Sequence, residues 1–139
     1  MKKLFDPCNY NVNINLILLI NRLAIACFML VHGLGKLTKL VGSATIQFAD
    51  PLGIGATFSL SLAVFAEVFC SVLIFVGLTT RLATIPLIIT MIVAVFMVNA
   101  NNPFGDKEMG LLYLLVYLTI AIAGPGRYSI DSMIFKKIS

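Results

Sequence analysis

Glu67 stands in the middle of an uncharged stretch of apolar and small residues at 56–78, and Arg22 stands similarly inside 14–34. An ionisable side chain within a membrane-length segment costs roughly 2.5–3.5 kcal/mol to insert. Such groups are kept inside a helix bundle, paired, and often serve function. A carboxylate there can take and release a proton. A guanidinium there can hold a polar or anionic group. Measured from the same membrane edge, Arg22 lies about 12 Å deep and Glu67 about 16 Å deep. The depths agree within a helical turn, so a buried Arg22–Glu67 ion pair is the expectation. A purely structural bridge and a ligand-binding or proton-relay site carry equal weight for it.

A second set of residues sits toward the opposite edge. His32 and Lys36 are four apart and share a helix face, with Gly33 and Gly35 between them. Lys36 also projects within about 40° of Arg22 around the helix. Glu108, at the outer start of the last apolar segment, lies at matching depth and is expected beside Lys36. Tyr117, four residues after Tyr113, carries a hydroxyl that needs an internal partner, for which Asn99 is a candidate. His32, Lys36, Glu108 and Tyr117 therefore form the candidate ligand or partner site. The alternative is snorkelling, with Lys36 reaching the headgroups and His32 at the interface. On the ligand-site reading Lys36→Met or Glu108→Gln changes folded stability by no more than roughly ±0.5 kcal/mol, while weakening the cellular phenotype that deletion of the protein produces. One histidine cannot build a metal site, so no metal is expected. The cysteines, Cys8, Cys27 and Cys70, form no CxxC pair, and the two in apolar segments read as small apolar filler.

The elements that position these residues follow from composition. The chain is 60% hydrophobic and 12% charged, against about 25% charged in a soluble domain. Basic runs with interleaved aromatics are absent, so nucleic acid is not an expected partner. Four apolar segments, at about 14–34, 56–78, 82–98 and 108–124, approach the roughly 20 residues that a span requires. The expected fold is all-α: one integral membrane domain over 1–139, a four-helix bundle with short loops. The third segment is marginal and the fourth short, so three spans plus a half-inserted segment is the minority reading. The Gly77-Leu78-Thr79-Thr80-Arg81 turn makes segments two and three antiparallel neighbours. Gly124-Pro125-Gly126 ends the fourth. Residues 38–55 read as a short interfacial helix or a re-entrant cap. The basic start Met1-Lys2-Lys3 is separated from its apolar run by polar residues, and Cys8 precedes that run. Neither a signal peptide nor a lipoprotein cysteine is expected. Six lysines and arginines on one side against three on the other place both termini in the cytoplasm.

Against this frame a family resemblance emerges. Arg22-Leu23-Ala24, Val31-His32-Gly33-Leu34-Gly35-Lys36-Leu37, Phe65-Ala66-Glu67 and Leu73-Ile74-Phe75-Val76-Gly77-Leu78-Thr79-Thr80-Arg81-Leu82-Ala83 resemble the DoxX family in order and spacing. Gly124-Pro125-Gly126-Arg127-Tyr128-Ser129-Ile130-Asp131 completes the pattern, which covers most of the chain. The resemblance implies a four-helix, multi-pass protein of the bacterial inner membrane. It also implies a redox setting, since similar proteins include a subunit of an archaeal thiosulfate:quinone oxidoreductase and a mycobacterial partner of secreted redox enzymes.

Two functions follow as expectations. The first is a membrane subunit or anchor of a quinone-linked oxidoreductase system. Arg22, His32, Lys36 and Glu67 would then supply donors and a proton acceptor to a quinone. No haem, flavin or iron–sulfur motif is present, no covalently bound cofactor is expected, and electrons would come from a redox partner protein. The second is a non-enzymatic scaffold or assembly factor, whose buried polar groups serve helix recognition. Whether the chain is itself an enzyme, its substrate and its oligomeric state are open at this level. Besides the redox partner, membrane lipid is the expected neighbour.

Overall fold

The computed structural model describes residues 10–42 and 45–138. The expectations on the basic start, Cys8 and Ser139 lie outside the described residues. Within them the chain is helical: α1 (Val12–Val41), α2 (Ala56–Val76), α3 (Thr80–Val98), α4 (Phe104–Ala123) and α5 (Ile130–Ile138). No strand occurs among the described residues. Helices α1, α2 and α3 are each long and apolar enough to cross a membrane. The burial pattern is that of a protein dissolved in lipid. Outward faces carry large apolar side chains such as Phe28, Val31, Phe69, Phe96, Leu115 and Ile122. The buried set includes Asn15, Arg22, Glu67, Ser71, Thr80, Thr84 and Asp131. In water such continuous apolar faces would be a liability; facing hydrocarbon they are the surface the solvent requires.

Several boundaries differ from the sequence reading. α1 runs to Val41 rather than ending near residue 34, because Gly35 is tolerated within the helix and Gly42 stops it. His32, Lys36 and Lys39 are thus all helical. At 30 residues α1 is about 45 Å long, more than the roughly 30 Å of hydrocarbon. α4 begins at Phe104, after Pro103, so Glu108 falls in its second turn. The described part of the α1–α2 connection, 45–55, contains no helix. It is held instead by Asp50, whose carboxylate accepts hydrogen bonds from the Ser59 hydroxyl and the Ile54 and Gly55 amides. These bonds, the Ser59 hydroxyl foremost, keep the Asp50 carboxyl below the ordinary carboxylate range.

Helices α1 and α2 run antiparallel in close contact. A Cβ on Gly33 would come within 2.8 Å of Val68 Cγ2 and 2.9 Å of the Glu67 backbone carbon. Gly77 closes α2 in the left-handed region at φ 75°, and a Cβ there would meet the Arg22 guanidinium at 2.8 Å. The register therefore sets position 33 against Glu67 and position 22 against Gly77. The core between the helices is filled by Ile25, Ala26, Met29, Ala66, Cys70, Ile74, Leu87 and Tyr117 among others.

Two stretches depart from α geometry: Phe65–Cys70 in α2 and Ala94–Val98 in α3 are wound as π-helix. The Asn99 amide accordingly donates to the Ala94 carbonyl, five residues back, at 3.0 Å. Such widened turns are rare and cluster at functional sites.

Candidate functional site

The structure separates the two residues that depth had paired. Arg22 and Glu67 are both buried, at 2% and 1% exposure, but each has its own partners. Arg22 Nη1 donates to the Pro125 carbonyl at 2.7 Å and Nη2 to the Tyr128 carbonyl at 2.9 Å. It also lies near enough to Asp131 for their charges to attract. Asp131 accepts from the Thr79 and Thr80 amides at 2.6 and 2.8 Å, and its own amide donates to the Gly77 carbonyl. It thereby satisfies the first donors of α3, which α3 cannot satisfy itself. Asn15 adds a further tie, accepting from the Arg127 amide at 2.8 Å. The segment 124–131 is thus a strap that locks α1, the α2–α3 turn and the end of α4 together. Arg22 is its buried cation. The expected Arg22–Glu67 pair is corrected: the antiparallel register puts them about ten residues, roughly 15 Å, apart along the helix pair.

Glu67 pairs with Lys36 instead. Lys36 Nζ donates to Glu67 Oε1 at 2.5 Å, with the lysine side chain 30% exposed and the glutamate 2%. The lysine ammonium also lies over the Phe48 ring, 5.7 Å from its centroid. The pair borders a cavity of about 270 Å³ where both π segments meet α1 and α4. Its wall includes His32, Lys36, Glu67, Asn99, Asp106 and Tyr113. His32 packs edge-on against Tyr113, with ring centroids 5.9 Å apart. Gly110 of α4 lets Val95 approach, since a Cβ there would fall 2.6 Å from Val95 Cγ2.

Of the proposed ligand residues, His32 and Lys36 are brought to this cavity and two are not. Glu108 is exposed and does not line it; Asp106, half a turn earlier, does. Two residues apart on one helix, the two positions stand about 160° apart around its axis, so only one of them faces the cavity. Tyr117 is fully buried one turn below Tyr113, stacked against it with centroids 6.2 Å apart. Asn99 does not serve it, since its amide group is engaged with Ala94 and Asn102. Beneath the cavity, Glu67 Oε2, Ser71 Oγ and Tyr117 Oη are buried with no hydrogen-bond partner among the described residues. Ser71 faces Tyr117, but the two hydroxyls do not close a bond. Buried polar atoms are normally satisfied, and a cluster of exceptions marks a place for a ligand or ordered water. Neither Asp106 nor the π turns stood out from residue types and spacing; Tyr113 was legible as the residue four before Tyr117.

The comparisons with known proteins agree with this architecture. The DoxX family model matches residues 17–100, which takes in most of α1, all of α2 and α3, and the Lys36–Glu67 pair. This chain belongs to the DoxX family. It is 32% identical over 119 residues to a Bacillus subtilis protein named "Putative oxidoreductase CatD", covering 85% of this chain and 87% of that one. It is 29% identical over 137 residues to "Uncharacterized membrane protein Rv3486" of Mycobacterium tuberculosis, covering 82% and 83%. It is 28% identical over 123 residues to "Inner membrane protein YqjF" of Escherichia coli, covering 86% and 92%. No solved structure matches.

In this DoxX protein the arrangement offers distinct chemistry at two places. In the strap both terminal nitrogens of Arg22 are engaged, while its Nε and the Thr80 hydroxyl are buried without a hydrogen-bond partner among the described residues. The cavity carries a cation with one side free, a buried carboxylate with one oxygen unpartnered, an imidazole and a phenol. Together these offer hydrogen-bond donors and a carboxylate that can take up a proton.

Proposed function

We propose that this DoxX protein is the membrane subunit or anchor of a quinone-linked redox system, with the quinone headgroup seated in the cavity above Glu67. The observation that carries this is the state of Glu67. One oxygen is held by Lys36; the other, buried and without a partner, lies beneath the cavity. A quinone supplies a two-electron, two-proton acceptor when bound. Lys36 and His32 would donate to its carbonyls, Tyr113 would bound one side, and Glu67 would exchange protons. Electrons come from a redox partner protein, consistent with the oxidoreductase name borne by the Bacillus relative. The test is equilibrium binding of a tail-less benzoquinone to the full chain in lipid nanodiscs. Saturable binding, weakened about tenfold by His32→Leu, a loss in the range of one hydrogen bond, is the expected result. Absence of saturable binding removes the reading and leaves the scaffold alternative.

The reading includes a bacterial inner-membrane setting with four spans. α4 has 20 residues, about 30 Å, enough to cross if Asp106, Lys107 and Glu108 lie at the headgroups. Both termini are then cytoplasmic, and the cavity opens to the far side. Reporter fusions at Ser139 and after Asp50 should report opposite sides. A shared side for the two would exclude four spans.

A further inference from the structure

A second opening lies next to the cavity and has a different character. It is a groove of about 140 Å³ between the 45–55 loop, the first half of α2 and the second half of α3. Its lining is apolar, with Phe48, Ile54, Leu62, Ile89, Val93 and Val98 among the residues. Lys36 and Ala94 line both the groove and the cavity. The two spaces therefore meet at the lysine that holds Glu67. Leu62, Ile89 and Val98 are 46%, 56% and 45% exposed, so the groove opens sideways on helix faces that meet hydrocarbon. Along α3 it runs from Ile89 to Val98, about 13 Å of helix.

A chamber with charged and polar groups that shares Lys36 and Ala94 with an apolar channel matches an amphiphile: a polar ring at one end and a hydrocarbon chain at the other. We propose that the groove holds the alkyl or isoprenoid tail of the quinone whose headgroup occupies the cavity. This rests on the quinone reading above and adds to it the class of substrate: a lipid-borne, tailed quinone delivered laterally from the bilayer. Phe48 and Ile54, carried on the loop that Asp50 organises, roof the tail. Lys36 sits at the junction of head and tail, its ammonium turned to Glu67 and its stem available to the chain. Hydrophobicity alone does not drive a tail from lipid into protein, since both are equally apolar. The groove instead selects by shape and fixes the direction from which the ring enters.

The test uses the full chain in nanodiscs and a benzoquinone whose alkyl tail bears a diazirine. On illumination, crosslinks should map to Leu62, Val93 and Val98. An excess of tail-less benzoquinone should abolish them, because the ring anchors the tail. Ala49→Trp, on the exposed part of the loop, should fill the groove. It should weaken the tailed quinone about tenfold, in line with the usual cost of overpacking, and leave the tail-less one unchanged. If tail-less quinone binds but crosslinks scatter over outward residues such as Leu115 and Ile122, the groove assignment is wrong and the cavity reading stands. Groove crosslinks that persist under excess tail-less quinone would mean that the groove takes chains independently of the ring, which also overturns it. If neither quinone binds, both readings fall together.

Discussion

Lys36→Met lowers folded stability by about 3 kcal/mol, whereas Glu67→Gln lowers it by only about 1 kcal/mol. The asymmetry follows from where the two charges sit. Glu67 is 2% exposed in its side chain, and removing Lys36 strands a carboxylate in the bundle. Breaking a buried pair in this way costs about 3–5 kcal/mol, and the low end applies because the lysine end of the pair is only partly buried. Removing the charge from Glu67 strands nothing: Lys36 is 30% exposed and can turn into the cavity. This replaces the sequence-based expectation that Lys36→Met is nearly neutral. The measurement is thermal or denaturant unfolding in a mild detergent, read by fluorescence and by the monodisperse fraction on gel filtration. The double variant should recover most of the loss, since the stranded charge is gone. Equal losses from the two single variants, or no loss from Lys36→Met, would refute the pairing.

Asp131→Ala and Arg22→Gln should each cost about 3 kcal/mol, at the other end of the molecule. Asp131 makes two hydrogen bonds to the start of α3, and charge-assisted bonds contribute about 1.5–3 kcal/mol each. Arg22→Gln leaves the carbonyls of Pro125 and Tyr128 without their donor and Asp131 without its nearby cation. The two defects share one network, so the double variant should lose clearly less than their sum. Neither should change quinone affinity in the fraction that folds, because the strap lies roughly 15 Å from Glu67. Unfolding of the same kind checks the stability, and nanodisc binding checks the affinity. Stabilities within about 0.5 kcal/mol of the wild type for both single variants would show that the strap does not hold the bundle.

Much of the architecture could be read from the chain because lipid simplifies the signal. Long apolar runs, a proline–glycine stop and a short turn at 77–81 define helices without any knowledge of packing. The candidate site was legible in its residue types but not in its pairings. Glu67, Lys36, His32 and Arg22 stand out because ionisable groups are rare in such segments. Which of them meet depends on the register of α1 against α2. That register is set by Gly33, where the backbones approach, and by Gly77, where Arg22 fits. Depth counted from assumed helix ends missed it, because it took residues 14 and 78 to lie level, whereas Arg22, ten residues into α1, stands against Gly77 at the end of α2. The π turns were invisible for another reason. A widened turn reflects the packing of Phe65–Cys70 and Ala94–Val98 against their neighbours and has no local composition of its own. Since those turns shape the cavity wall, Asp106 and Asn99 could not have been placed there from spacing alone.

The strap also has a consequence for biosynthesis. The hydrogen-bond acceptors of Arg22 lie 103 and 106 residues further along the chain. At about 5–20 residues per second of translation, the first helix waits roughly 5–20 s for them. During that interval its guanidinium must stay near water or borrow another partner. The first helix therefore cannot settle at its final depth and tilt until the last part of the chain arrives. A nascent chain cut short before Pro125 keeps in its first helix a guanidinium without these two acceptors.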